Sequence, residues 1–210
     1  MIPMQNASHT IREELLYILL FIFVIWAVFV LTCIFPSLDK FGVVPRMASG
    51  LIGIPLSPFL HASFHHLFGN TIPLFILLAL LAGSKARSWE IVLYVALLGG
   101  SLLWIIGRSM VNGRPTVHIG ASGLIFGLIA FLIVSGLLEK RIVPLFISLV
   151  VGFFYGGTLL SGIVPQVNPI ISWDGHLCGA IAGGLVAYYL TKETKPRTET
   201  LEVSTPLLRE

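Results

Sequence analysis

Six long apolar runs recur along this chain, and they constrain its fold more than any other feature. The first has 21 residues without a charge, enough for a helix that crosses the roughly 30 Å of hydrocarbon in a bilayer. The runs are Leu15–Phe35, Leu67–Gly83, Ile91–Gly107, Ile119–Leu138, Ile142–Ile163 and Gly175–Leu190. The pattern predicts an all-α polytopic membrane protein built as a bundle of six transmembrane helices.

The composition agrees with this prediction. Hydrophobic residues make up 56% of the chain and charged residues only 11%, and the mean hydropathy is +0.93. A soluble domain carries about 25% charged residues, so the apolar surplus is expected to face lipid instead of forming one buried core. The first run exceeds the ~7–15 apolar residues of a signal peptide, and no clean small-x-small cleavage site follows it.

Two other span counts stay open. The count is five if the short last run does not insert, and seven if the segment Met47–Leu60 inserts. Pro45, Pro55 and Pro58 favour an irregular or interfacial loop there. The chain contains no convincing internal repeat, which argues against an inverted-repeat transporter.

The chain divides into three predicted parts. Residues 1–14 form an N-terminal segment, residues 15–190 the membrane domain, and residues 191–210 a polar tail whose composition predicts disorder. Cys33 and Cys178 fall within predicted spans, so a disulfide framework is not indicated. The net charge of +3 reflects an uneven distribution of charge between the two sides of the membrane and implies no nucleic-acid partner.

Lys and Arg residues cluster on one side of the predicted topology. Nine of the 13 belong to the side that holds both termini: Arg12, Lys85, Arg87, Lys140, Arg141, Lys192, Lys195, Arg197 and Arg209. The other side holds Lys40, Arg46, Arg108 and Arg114. The positive-inside rule therefore predicts cytoplasmic termini in a multi-pass protein of the cell (inner) membrane.

Polar side chains stand at the outer ends of three predicted spans. Ser122 lies near the start of the fourth span, His176 at the start of the sixth, and His61, His65, His66 and Asn70 at the leading edge of the second. All three spans run from outside to inside, so these residues are expected at one membrane depth. Polar groups inside a membrane are costly and are read as functional by default.

Residue spacing brings these groups closer together. His66 and Asn70 are four apart and therefore share one helix face. Glycines are also four apart in two of the spans, at Gly123 and Gly127 and at Gly175, Gly179 and Gly183. Such stripes let helix backbones approach closely in lipid, as a serine and a histidine on different helices need if they are to come within about 2.6–3.2 Å.

The motifs around these residues resemble those of the rhomboid family of intramembrane serine proteases. The segments His61–Asn70, Gly120–Gly123 and Gly175–Gly183 fit the patterns HxxxxHxxxN, GxSG and GHxxGxxxG in the family's order. A lone GxSG would be weak evidence, because soluble hydrolases also use such an elbow. Three motifs on three correctly oriented spans make the resemblance specific, and it extends from the first span to Leu190.

The resemblance implies a role for each matching residue. It makes Ser122 the nucleophile and His176 the general base of a dyad, with His66 and Asn70 stabilising the oxyanion together with the Ser122 backbone N–H. Phe126 is expected to pack on the catalytic imidazole, supported by Gly120, Gly123, Gly179 and Gly183. The segment Asp39–Leu60 matches the partly embedded first loop, although it lacks the Trp-Arg pair of some bacterial relatives. The segment Ser161–Trp173 and the fifth span match the cap and gate for substrate helices.

The implied partners are transmembrane protein substrates and the lipid bilayer, with no cofactor or metal, and the oligomeric state stays open. Less specific interpretations remain for single residues. Asp174 fits an N-cap of the sixth span better than a third catalytic acid, and His61 fits a structural tie between the first loop and the second span. His65 and His118 fit interfacial positions. A catalytically inactive rhomboid-like binding or trafficking factor is the main alternative, and a small transporter is less favoured.

Overall fold

The computed structural model describes residues 11–85, 87–111, 113–165 and 171–193, and its architecture is helical as predicted. The polar tail beyond Glu193 lies outside the described residues, as do the first ten residues. The helices are α1 (Ile11–Ile34), α2 (Gly53–Leu56), α3 (Phe64–Ser84), α4 (Ser88–Ile106), α5 (Ser122–Glu139), α6 (Ile142–Gly162) and α7 (Trp173–Glu193). A two-stranded antiparallel hairpin, β1 (Met110–Val111) and β2 (Arg114–Pro115), lies between α4 and α5.

Within the described residues, five helices, α1 and α3 to α6, are long and apolar enough to cross a membrane. The sixth of the predicted spans, α7, has 21 residues and is therefore about 31 Å long. It packs against α4, α5 and α6, so much of its surface meets protein and need not be apolar. The segment Met47–Leu60 forms the one-turn helix α2 between two 3-10 turns, Ala48–Gly50 and Ser57–Phe59, which rules out a seventh span there.

Helix α5 forms the centre of the bundle. It contacts α3, α4, α6 and α7. In its apolar 18-residue stretch 61% of the residues are buried inside the protein, against 17% in α1 and in α6. The side chains of Leu128, Ile129 and Phe131 are almost completely buried. A helix that is apolar on every face is expected to be surrounded in this way, whereas the exposed apolar side chains of α1 and α6 are suited to lipid.

Glycines set the distance between α5 and α7. A Cβ atom added to Gly179 would overlap the carbonyl oxygen of Gly123, and one added to Gly183 would overlap that of Gly127. The obstructing atoms belong to the backbone and cannot rotate away. The two backbones therefore touch directly, as small-residue stripes in membrane helices allow.

The first loop is anchored to the end of α4. The Arg46 guanidinium donates to the carbonyls of Ile105, at 3.0 Å, and Gly107, at 2.9 Å. The Trp104 indole N–H donates in return to the Met47 carbonyl at 2.9 Å. The tryptophan and the arginine that anchor the loop thus come from different parts of the chain.

Charged side chains join the helices at the opposite end of the bundle. The buried Glu14 carboxylate accepts hydrogen bonds from the Ser88 hydroxyl at 2.9 Å and from the Trp89 indole at 3.0 Å, linking the starts of α1 and α4. Lys85 and Glu139 form an ion pair between the ends of α3 and α5. The starts of α3, α5 and α7 consequently lie together at the other end.

Candidate active site

The chain segment that leads into α5 passes directly over two side chains of α3. Gly120 has a φ of +117°, and a Cβ atom there would lie 2.5 and 2.6 Å from Cε1 and Nε2 of His66 and 3.6 Å from Nδ2 of Asn70. Glycine is needed both for this backbone conformation and for this close approach. His66 and Asn70 therefore lie against the turn that ends two residues before Ser122.

Ser122 is the first residue of α5 and is half-buried. N–H groups in the first turn of a helix have no intrahelical partner and favour negative charge nearby. A cavity beside this turn is lined by Ser122 and Gly123, by Gly175 of α7, by Gly99 of α4 and by Pro58 of the first loop. The serine hydroxyl thus stands at a cavity whose glycine lining leaves room beside it.

The His176 ring is held in a defined orientation. It stacks on the Phe126 ring with centroids 4.1 Å apart and planes 5° from parallel. Its Nδ1 lies 3.1 Å from the carbonyl oxygen of Gly162 at the end of α6. A carbonyl can only accept, so Nδ1 carries the proton and Nε2 keeps its lone pair. This is the tautomer that a general base needs.

Gly162 is needed for this arrangement. A Cβ atom at this position would overlap the Phe126 ring and would lie 3.4 Å from Nδ1 of His176. Sequence reasoning placed Phe126 on the imidazole but did not assign Gly162 a role. No local signal could have found this contact, because Gly162 lies 14 residues from His176 on another helix.

Ser122 and His176 sit on either side of the α5–α7 crossing. A Cβ atom on Gly123, the residue after Ser122, would lie 3.3 Å from the carbonyl oxygen of Gly175, the residue before His176. Among the residues that the structure describes, the Ser122 hydroxyl makes no hydrogen bond to the His176 ring. Such bonds are often long in a resting site and shorten only when substrate binds.

His61 is closer to the site than the sequence suggested. Its side chain is buried, and Nε2 lies 3.0 Å from Nδ2 of Asn70 and 3.5 Å from the Ala121 backbone nitrogen. Burial, followed by the proximity of His66, lowers the pKa of His61 to about 4. The ring is therefore neutral near pH 7 and can accept a hydrogen bond from Asn70, leaving the second amide N–H of Asn70 available.

One sequence interpretation is wrong. Asp174 is not the N-cap, because α7 begins at Trp173 and the carbonyl of Ser172 receives the His176 N–H at 3.0 Å. The Asp174 carboxylate instead accepts from the backbone N–H of Arg108 at 2.8 Å. His118 is buried within the protein, where its chain segment pairs with the first loop, and its interfacial depth stays a prediction. His65 is exposed, and its interfacial depth likewise stays a prediction.

No group of three or more His, Cys, Asp or Glu side chains that could hold a metal ion occurs within the described part of the chain. The polar groups gathered around Ser122 and His176 include a hydroxyl, three imidazoles and a carboxamide, and His118 and Ser172 also line the cavity beside Ser122. A serine, a correctly protonated imidazole and nearby N–H donors are the elements of nucleophilic acyl transfer.

Comparisons with known proteins support the assignment of the fold. The model of the Rhomboid domain matches residues 48–193. An uncharacterized protein of Mycobacterium tuberculosis strain H37Rv is 46% identical over 158 residues, which are 73% of this chain and 65% of that protein. The chain thus spans just under two-thirds of the mycobacterial relative's length.

Two other relatives carry rhomboid names. The "Putative rhomboid protein L523" of Acanthamoeba polyphaga mimivirus is 31% identical over 138 residues, covering 64% of this chain and 72% of its own length. The "Putative rhomboid protease YdcA" of Bacillus subtilis is 27% identical over 139 residues, covering 66% of each chain. Because the domain match extends from the first loop to the end of α7 and takes in all three motifs, this chain belongs to the rhomboid family.

Proposed function

We propose that this protein is an intramembrane serine protease that hydrolyses peptide bonds in or near the transmembrane helices of membrane-protein substrates. The observation that carries the proposal is the orientation of His176. Its Nδ1 faces the Gly162 carbonyl at 3.1 Å, and its ring stacks on Phe126. Nε2 is therefore the basic nitrogen, beside the helix crossing at which Ser122 begins α5.

The reaction would proceed in two stages. The Ser122 hydroxyl oxygen attacks the substrate carbonyl carbon while its proton passes to Nε2 of His176. The tetrahedral intermediate then collapses, the C–N bond breaks, and the proton passes to the leaving amine. In the second stage water loses a proton to His176 and attacks the acyl-enzyme. The bond between the acyl carbon and Oγ of Ser122 then breaks, His176 returns the proton to Oγ, and the carboxylic acid is released.

Three groups are placed to stabilise the negative oxygen of the intermediates. His66 and Asn70 lie against Gly120, and the N–H groups of the first turn of α5 add the positive end of a helix dipole. Asn70 donates one amide hydrogen to His61 and retains the other for the oxyanion. Donors held in position before charge develops need little rearrangement as it forms.

The substrate would have to unwind before it is cut. In a transmembrane helix each carbonyl is bonded within the helix, so the attacked bond becomes accessible only after local opening. Gly or Pro near the cleavage site should favour this opening, because both destabilise helices. With cytoplasmic termini, the site would open toward the outer aqueous side, from which water can enter.

A proteolytically inert rhomboid-like binding protein is the second candidate. The observation that favours it is that Ser122 and His176 are not hydrogen-bonded in the described structure. Labelling with a fluorophosphonate separates the two functions, because this reagent reacts with an activated serine. The purified protein is expected to acquire a single adduct on Ser122, located by mass spectrometry of its peptides. A protein that stays unlabelled while remaining folded would contradict the protease proposal.

Replacing Asn70 by alanine is expected to lower kcat by roughly 10²–10³-fold, about 2.7–4 kcal/mol, because an oxyanion donor acts mainly on the transition state. KM should change little, and the variant should still react with a fluorophosphonate, more slowly than wild type. Thr71→Ala is the matched control, since the Thr71 hydroxyl accepts from Trp26 on the neighbouring helix. A raised KM with unchanged kcat would identify Asn70 as a binding residue instead.

A further inference from the structure

A network of buried and half-buried polar side chains joins the chain segments that lead into α5 and α7. Arg108 follows α4, His118 precedes α5, and Ser172 and Asp174 stand at the start of α7. Asp174 accepts hydrogen bonds from the Arg108 backbone N–H at 2.8 Å and from its guanidinium at 3.1 Å. The Asp174 side chain is 7% exposed and that of Arg108 27%, so water competes little for the carboxylate and reaches only part of the guanidinium.

His118 and Ser172 complete the connection. Nδ1 of His118 lies 2.7 Å from the Ser172 hydroxyl, and Nε2 lies 3.1 Å from the Arg108 carbonyl oxygen. The Ser172 hydroxyl in turn lies 3.3 Å from Oδ1 of Asp174. Because the Arg108 carbonyl only accepts, Nε2 carries a proton. The single hydroxyl proton of Ser172 can go either to Nδ1 of the neutral ring or to Oδ1 of Asp174, so Ser172 donates to one of these two partners at a time.

Each end of the network is close in sequence to one member of the proposed dyad. His118 lies four residues before Ser122, and Asp174 lies two residues before His176. His118 is also fixed to the first loop, through reciprocal backbone hydrogen bonds with Val43 of 2.8 and 2.9 Å. A displacement of the start of α7 would therefore break bonds to the segment that carries Ser122.

The network restrains the sliding and rotation of α7, which the glycine contacts restrain only weakly. The contacts of Gly179 with Gly123 and of Gly183 with Gly127 fix how closely α5 and α7 approach. They contain no side-chain hydrogen bonds, so they resist sliding and rotation only weakly. Hydrogen bonds are directional, and those made to a charged group are the strongest. A buried ion pair at the start of α7 thus fixes both its height and its rotation.

We propose that Asp174, acting through Arg108, Ser172 and His118, is a positioning residue that holds the start of α7 in register with the segment leading to Ser122. This inference rests on the proposed function for its effect on catalysis. Asp174 is not a third catalytic acid, because Nδ1 of His176 bonds to Gly162. His118 and Ser172 line the cavity beside Ser122, whereas Asp174 and Arg108 do not, so Asp174 acts through its partners on the distance and angle between nucleophile and base.

The test is the variant Asp174→Asn, which keeps the shape of the side chain and removes its charge. The second-order rate of fluorophosphonate labelling and kcat are both expected to fall by about 10²-fold, the effect of a displacement of about 1 Å in an active site. KM should stay close to wild type. In the double variant Asp174→Asn/His118→Gln, the fold-decrease in labelling rate should be smaller than the product of the two single fold-decreases, because both substitutions disrupt one network.

Amide hydrogen exchange gives a readout that does not depend on catalysis. The N–H groups of His118, Gly120 and His176 are bonded to Val43, Ser57 and Ser172 respectively. Asp174→Asn is expected to speed exchange at all three by roughly tenfold, because opening of the network would free both segments together. If the wild-type protein did not react with the fluorophosphonate, the protease proposal would fail. The comparison of exchange rates between wild type and Asp174→Asn would still test whether the network holds the two segments together.

Glu139→Gln is the matched control, because it breaks the pair with Lys85 at the opposite end of α5. It should lower thermal stability while leaving labelling of the folded protein and exchange near Ser122 unchanged. If Asp174→Asn does not fold, Ser172→Ala replaces it. This variant removes only the hydroxyl between the two segments and should slow labelling roughly 2- to 10-fold. Wild-type labelling and exchange in whichever of these two variants folds would overturn the inference.

Discussion

Alanine at Ser122 or at His176 is expected to abolish cleavage of a model transmembrane substrate by the purified protein. In a soluble serine protease, loss of either the nucleophile or the base costs on the order of 10⁶-fold in kcat, and losing both costs little more. The double variant should therefore be no worse than either single variant. Cleavage is measured by gel assay in detergent and in liposomes, with circular dichroism to verify the helices.

A serine on the same helix provides the control for this prediction. Ser135 is buried in α5, more than three turns beyond Ser122, and Ser135→Ala should cleave at close to the wild-type rate. Fluorophosphonate labelling should disappear in Ser122→Ala and persist in Ser135→Ala. Substrate cleavage at the wild-type rate by purified, folded Ser122→Ala would exclude the proposed mechanism.

Adding a single methyl group at Gly179 is expected to inactivate the protein without touching a reacting atom. The new Cβ would overlap the Gly123 carbonyl oxygen, which is backbone, so α7 would have to move away from α5. A displacement of about 1 Å between nucleophile and base can cost ~10²-fold in rate. We expect Gly179→Ala, and Gly183→Ala by the same overlap with Gly127, to show at least this loss in labelling and cleavage.

Gly184→Ala is the matched control for this prediction, because Gly184 lies in the same helix and a Cβ atom there would meet open space. Alanine is favoured over glycine inside a helix by about 1 kcal/mol, so Gly184→Ala should be active and slightly more stable. The same intrinsic gain applies to Gly179→Ala, which therefore isolates the steric effect. Equal activity in the Gly179 and Gly184 variants would show that the α5–α7 contact does not determine catalysis.

The sequence by itself determined the features that belong to single segments. Length and apolar content predicted the membrane helices, because a helix in lipid must satisfy its own backbone hydrogen bonds. The separation of four residues between Gly175, Gly179 and Gly183 predicted a close helix contact, since residues four apart share a helix face. The positions of Ser122 and His176 at the starts of spans with the same direction predicted that both would lie at one end of the bundle.

The tertiary structure alone decided which polar partners meet. Asp174 has a plausible local role as a cap, and a sequence displays only local partners. In the fold it accepts from both the backbone N–H and the guanidinium of Arg108, 66 residues away, and a carboxylate gains more from a charged donor than from a neutral one. The contacts of His61 with Asn70 and of Gly162 with His176 likewise join separate elements through irregular segments. No periodicity encodes such pairs, so only the packing of the whole bundle determines them.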